Sequence, residues 1–178
     1  MAETAAADLV ERNRPVVRLV ASPLQRAQES AGPIAAAFGL PIETDERIIE
    51  PSNHFEGKRM RGAGGALRDP RNWPSLRNPA TPSWGEPFTA IAARMLAAID
   101  DAFHSVDEGD VVLVSHQLAI WTAHRALANE RLAHDPRKRR CDLSSITTLS
   151  WRGDGPVEVA YASPAAALLV PANDVGAV

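Results

Sequence analysis

Apolar residues run almost continuously over Val16-Val17-Arg18-Leu19-Val20 and again over Val111-Val112-Leu113-Val114, which leads into Ser115. Runs of this kind predict strands covered on both faces, as in the middle of a parallel sheet. A different period follows between them. Phe88, Ile91, Ala92, Met95, Leu96, Ile99 and Phe103 recur at helical spacing and predict one apolar face on a helix from Pro87 to about Val106. A helix is also expected over Met1 to Asn13, with Leu9 and Val10 among its few bulky apolar residues. Ser22-Pro23-Leu24-Gln25 reads as a helix start. Ser22 is placed to cap, Pro23 suits the first helical position, and Gln25 suits the reciprocal partner of a capping box. That helix should run to Phe38 and stop at Gly39. Ile42 to Thr44 is a short strand, and Leu118 to Leu127 a further helix. Ile146 to Trp151 and Val157 to Tyr161 alternate around Gly153-Asp154-Gly155, the signature of a hairpin.

Strands alternating with helices predict an α/β domain, a three-layer α/β/α arrangement with a mostly parallel sheet and a C-terminal hairpin. A single domain is expected over residues 1–163. Residues 51–86 are its least regular part. They read as an ordered lid or insertion, with a weak helix within Gly57 to Leu67, because Trp73 and Trp84 call for burial. Residues 164–178, rich in Ala, Pro and Val, read as a partly ordered tail. In open α/β sheets ligands bind at the carboxyl ends of the strands. Function is therefore sought just after Val20 and just after Val114.

Composition narrows the classes. The 178 residues suit one domain, and 45% hydrophobic with 23% charged residues excludes wholesale disorder. Aromatics are only 5% and alanine is abundant, so much of the apolar share is small and helix-favouring. A formal charge of -3 gives no field that would recruit nucleic acid or an anionic membrane surface. No apolar run approaches the roughly 20 residues needed to span a bilayer. The N-terminus lacks the basic start and apolar stretch of a secretory signal. The single Cys141 excludes an internal disulfide and points to the cytoplasm.

Three residues stand out chemically. Arg26 falls one turn into a helix, where a cation opposes the helix dipole; a bound anion would resolve that conflict, and arginine is a natural bidentate phosphate ligand. The competing reading is an arginine that snorkels to solvent. His116 follows the second strand directly, at its carboxyl end, where the competing reading is a hydrogen-bonded structural histidine. Ser115-His116 does not make a serine hydrolase, since neighbours on a strand point to opposite faces and no G-x-S-x-G is present. Glu50 follows Ile48-Ile49 at an apparent strand exit, where shielding would raise its pKa and suit a general acid; the alternative is an ordinary exposed glutamate. Arg137-Lys138-Arg139-Arg140 reads as a solvated loop able to steer an anionic substrate. Those basic neighbours would lower the thiol pKa of Cys141. His54 with Glu56, and His116 with His124, lack metal-ligand spacing, so no metal site is expected. There is no P-loop or dinucleotide-binding glycine fingerprint.

Together these segments resemble the histidine phosphatase superfamily, of phosphoglycerate mutase-like fold. Ala21-Ser22-Pro23-Leu24-Gln25-Arg26-Ala27 is similar to the family's S-P-L-x-R-A segment, and Val112-Leu113-Val114-Ser115-His116 to its V-x-S-H segment. Arg47-Ile48-Ile49-Glu50 resembles the acid-bearing stretch, and Phe55-Glu56-Gly57 the nearby F-x-G. Gln117 stands where the family usually has glycine. The resemblance implies a cofactor-independent phosphomonoester hydrolase acting through a phosphohistidine on a phosphorylated small molecule. Arg26 and His116 would hold phosphoryl oxygens, with Ser22 and Gln117 at the phosphate pocket, and Glu50 would protonate the leaving group. The family's nucleophilic histidine lies in an R-H-G motif on its first strand, and no R-H-G occurs in this sequence. The expectation is thus a domain lacking that strand, from a truncated record of a longer protein. Mutase-type phosphotransfer and an inactive anion-binding pseudoenzyme are the alternatives.

Overall fold

The fold was analysed in a computed structural model, which describes residues 1–52, 65–76, 85–153 and 155–169. Helix α1 (Ala2–Glu11) leads into strand β1 (Val16–Ala21), helix α2 (Gln25–Phe38) and the short strand β2 (Ile42–Thr44). After an irregular stretch come α3 (Phe88–His104), β3 (Asp110–Val114) and α4 (Gln117–Leu127). Strands β4 (Ile146–Arg152) and β5 (Gly155–Ala162) close the order.

Strands β2, β1 and β3 form a parallel sheet in that order, and β4 and β5 form a separate antiparallel pair. Alternation along β1 divides the core. Leu19 and Ala21 face α1 and α2, where they meet Ala6, Leu9, Ala31 and Ile34. Val20 faces α3 and α4, where it meets Ile91, Met95, Ala119 and Ala123. The result is the three-layer α/β architecture that the strand–helix alternation predicts, with many alanines at its contacts. Small side chains let the helices lie close to the sheet.

The register of β1 on β3 positions everything that follows. Ala21 pairs with Val114, and the ladder continues past the strand end as the Ser22 amide donates to the Val114 carbonyl at 2.9 Å. At the other end Arg14 makes a two-pronged ion pair with Asp110, at 2.5 and 2.7 Å. The chain enters β3 through Gly109 at φ +94°, a backbone conformation that side chains with a Cβ rarely adopt. A Cβ there would also lie 2.6 Å from a Val17 methyl and 2.8 Å from the Pro15 carbonyl oxygen.

Several expectations change. Helix α2 begins at Gln25 with Leu24 as its first flanking residue, so Ser22 and Pro23 lie outside it. Ser22 does not cap; its hydroxyl is engaged by His116, and Gln25 bonds Glu29 rather than closing a capping box. The stop at Gly39, with φ +66°, is as expected. Strand β3 is half-buried along its length rather than deeply buried. It pairs with β1 alone among the described residues, so its other edge lacks the ladder of a central strand. Phe103 leaves the core face of α3 and stacks on Trp151 of β4, with ring centroids 4.1 Å apart, while the smaller Ala98 and Ala102 take the buried positions. Trp73, expected inside, is 58% exposed on a 3-10 turn over Pro70–Leu76. Trp84, His54 and the Phe55-Glu56-Gly57 segment lie outside the described residues, as do residues 57–64 of the expected weak helix and 170–178 of the tail. No described helix is long and apolar enough to cross a membrane.

Replacing Gly109 with alanine should cost about 2 kcal/mol or more, from positive-φ strain and the contact with Pro15. A urea titration should show a lower midpoint at unchanged slope. An unchanged midpoint would mean that the β1–β3 entry turn relaxes freely.

Candidate active site

The carboxyl ends of β1 and β3 lie side by side, so the residues that follow them meet. Ser22 is completely buried, and its hydroxyl lies 2.7 Å from His116 Nε2. Arg26, the second residue of α2 and exposed to solvent, donates from Nε to His116 Nδ1 at 3.2 Å. An Nδ1 that accepts from a guanidinium carries no proton. His116 is therefore the tautomer protonated at Nε2, with Ser22 as acceptor. Burial first, then the nearby Arg26 and Arg94 charges, hold its pKa down to about 4.

Glu50 approaches from a third direction, and not from a strand exit. A 3-10 turn over Glu46–Ile48, capped by Asp45 through the Arg47 amide, carries the chain there. Two bonds fix this turn over the site. Ser115 Oγ donates to the Ile48 carbonyl at 2.7 Å, and Arg94 Nη1 donates to the Arg47 carbonyl at 2.5 Å. Arg94 is itself aligned by a bidentate pair with Glu86, both contacts at 2.8 Å. Glu50 Oε2 comes to rest 3.8 Å from His116 Nδ1 and is buried without a hydrogen-bond partner among the described residues. Burial raises the Glu50 pKa. Arg26, Arg139, the Leu118 amide at the start of α4, and Arg94 oppose that rise without cancelling it. The carboxyl group thus holds its proton more readily than a surface glutamate.

Gln117 opens α4 beside His116, with its side chain at the surface. Its Nε2 donates to the Cys141 carbonyl at 2.9 Å, and its Oε1 accepts from Arg139 Nη1 at 3.4 Å. The sequence reading of Arg137–Arg140 as a solvated run holds for only part of it. Arg137 pairs with Asp135 and Arg140 with Glu158. Arg139 turns inward, where burial lowers its pKa and Glu50 raises it. Cys141 is buried as well, and burial pushes its thiol pKa up, opposite to the lowering expected from basic neighbours.

All five residues singled out from the sequence (Ser22, Arg26, Glu50, His116 and Gln117) therefore gather at one end of the sheet. Sequence reasoning passed over Arg94 and took Arg139 only as part of a solvated basic run. Arg94 left a trace. Arg94 lies three residues after buried Ile91 and four before buried Ala98, within reach of the apolar stripe of α3.

A second cleft lies between β1, β2 and α3, lined in part by Arg18, Glu43, Asp45, Arg47 and Asp101. Its arginines are already satisfied, Arg18 by Glu43 and Arg47 by Asp45 and Asp101. Arg26 has no carboxylate partner in ion-pair range among the described residues, which leaves its charge available. The described residues include no group of His, Cys, Asp and Glu suited to hold a metal ion.

The His116 ring should titrate near pH 4 in a nuclear magnetic resonance experiment, against about 6.5 for a free imidazole. In Arg26→Ala the midpoint should rise, because a cation is removed. Unfolded chains take up this proton near pH 6.5 and the folded protein only near 4, so the group withdraws stability as pH falls between those values. Glu50, with its raised pKa, acts in the opposite sense. A His116 midpoint at or above 6.5 would contradict the buried, neutral imidazole.

Comparison with known proteins gives the site a context. Residues 1–164 match the histidine phosphatase superfamily (branch 1). The chain is 54% identical over 154 residues to the uncharacterized protein Rv0525 of Mycobacterium tuberculosis, covering 86% of this chain and 76% of that protein. Among solved structures, mycobacterial glucosyl-3-phosphoglycerate phosphatase Rv2419c in complex with VO3 superposes with a TM-score of 0.67 at 26% identity, covering 88% of this chain and 80% of that one. YhfR of Bacillus stearothermophilus gives 0.69 at 22% identity, covering 88% and 78%, a likeness of fold. By the match over nearly its whole length, this chain belongs to the histidine phosphatase superfamily.

Proposed function

We propose that the end of the sheet bearing Arg26 and His116 is the phosphoryl-binding half of a phosphomonoesterase active site, and that the full-length protein is a cofactor-independent phosphatase of small phosphorylated molecules. The observation that carries the reading is the contact of Arg26 with His116 beside Glu50. A solvent-facing guanidinium, the neutral imidazole that orients it and a carboxyl group that favours its proton share one small region. Arg26 presents its Nη donors to phosphoryl oxygens, and His116, whose Nε2–H is held by buried Ser22, orients that guanidinium by accepting its Nε–H through Nδ1. Ser22 fixes the imidazole, and Gln117 lies at the rim.

In this reading a histidine of R-H-G type in the full-length protein attacks phosphorus. The bond to the ester oxygen breaks as the N–P bond forms, and the Glu50 proton passes to the leaving oxygen. Water then attacks the phosphohistidine, gives its proton to the Glu50 carboxylate, and releases phosphate and the free histidine. Arg26, held in place by His116, stabilises the charge that spreads over the oxygens in both steps. Membership of the histidine phosphatase superfamily supports the scheme, and so does the similarity to the mycobacterial glucosyl-3-phosphoglycerate phosphatase. The single free thiol, buried at Cys141, accords with a cytoplasmic setting.

Inorganic phosphate titrated calorimetrically into this chain should bind. Arg26→Ala should weaken binding by roughly tenfold or more, the loss of charge-assisted hydrogen bonds, and His116→Ala should weaken it by less, through the lost orientation of Arg26. In the full-length protein, Glu50→Gln should lower kcat most for substrates with poor leaving groups, which depend on the proton. Phosphate binding indifferent to Arg26, or turnover that survives Ala at the R-H-G histidine, would refute the reading.

A further inference from the structure

Arg139 is held in a way that suits an anion other than the phosphoryl group. Its Nε donates to His134 Nε2 at 3.0 Å, and its Nη1 to Gln117 Oε1 at 3.4 Å. Both acceptors are neutral. His134 spends its Nδ1 proton on the Leu132 carbonyl at 2.7 Å, leaving Nε2 free to accept. Its ring lies against Phe88, centroids 5.3 Å apart, with Trp121 edge-on at 6.3 Å, so the imidazole is clamped. Burial keeps the imidazole pKa below the ordinary value, consistent with an uncharged acceptor. Among the described residues, no carboxylate reaches Arg139 within ion-pair distance. Its neighbours contrast with it: Arg137 has Asp135, Arg140 has Glu158, and Arg94 has Glu86.

A half-buried guanidinium oriented by two neutral groups keeps its full charge and part of its donor fork for something else. That charge acts on Glu50, the residue placed at the leaving-group side, together with Arg26. Resting on the phosphatase reading above, we propose that Arg139 is a specificity-determining residue: oriented by His134 and Gln117, it binds a second acidic group, a carboxylate, on the alcohol part of the substrate. The preferred substrates are then phosphomonoesters of hydroxy acids, with the carboxylate a few bonds from the ester oxygen. Neutral alcohol phosphates bind the same phosphoryl half without this contact.

The test compares two small ligands of nearly equal size, phosphoglycolate and ethyl phosphate, which differ by a carboxylate in place of a methyl. Dissociation constants are measured by calorimetry on this chain, with thermal melts to confirm folding of each variant. The unsubstituted protein should favour phosphoglycolate by roughly tenfold to a hundredfold, the range of a charge-assisted contact. In Arg139→Met the ratio should fall to near one. In Arg139→Lys, which keeps the charge but loses the fork, it should be intermediate; this variant carries the test if the methionine variant fails to fold. In Arg26→Ala both ligands should weaken while the ratio persists. A ratio near one in the unsubstituted protein, or a preference that survives in Arg139→Met or is undiminished in Arg139→Lys, overturns the assignment of Arg139 and leaves the phosphoryl site standing. Failure of the unsubstituted protein to bind either ligand overturns the phosphoryl site and this inference together. Ligand binding that ignores Arg26 while keeping an Arg139-dependent ratio counts against the phosphoryl site alone.

Discussion

The parallel pairing of β1 with β3 is the constraint on which the site depends. Ala21 lies opposite Val114, and the Ser22 amide continues the ladder onto the Val114 carbonyl. This brings two residues 94 positions apart in sequence, Ser22 and His116, to 2.7 Å. Period-two alternation then separates Ser115 from His116. One hydroxyl turns toward the Ile48 carbonyl and supports the Glu50 turn, while the imidazole turns toward Ser22 and Arg26. A one-residue slip in this register would exchange the two side chains and leave Glu50 without its histidine neighbour.

The electrostatics follow from partial burial beside cations. His116 remains neutral because burial and two arginine charges both disfavour its protonated form. Glu50 is pulled two ways: burial favours its proton, and Arg26, Arg139 and Arg94 favour its charge. Burial prevails. The opposed influences leave a net rise, smaller than burial alone would give. The arginines divide the labour by their partners. Arg94 is neutralised by Glu86 and serves as a strut, whereas Arg26 and Arg139 have neutral acceptors and retain unspent charge.

The hairpin is joined to the rest by side chains rather than by backbone. Strand β4 pairs only with β5 among the described residues, yet Ile146 packs against the core cluster that holds Leu19 and Ala21, and Trp151 stacks on Phe103. Glu158 of β5 meets both His124 of α4, at 2.5 Å, and Arg140. These contacts fix the segment that runs through Arg139 and Cys141 into β4, and with it the rim of the site beside Gln117.

The sequence by itself determined the layer order, the helix and strand identities, and which residues follow β1 and β3, because those depend on local periodicity. The apolar runs, the helical stripe of α3 and the Gly39 stop are local facts, and the motif around Arg26 and His116 was legible for the same reason. Tertiary structure alone decided what each side chain touches. Ser22 had the sequence of a helix cap, but the nearness of β3 gave its hydroxyl a buried imidazole instead. Arg139 lay in a run of four basic residues that nothing local distinguishes. Its inward turn depends on His134 and Gln117, brought alongside by the path of the chain around α4. Phe103 followed the helical period yet left the core, because Trp151 of a distant hairpin offered it a ring to stack on. Periodicity reports which face of an element is apolar; the partner that face or side chain meets is set by contacts between residues far apart in the chain.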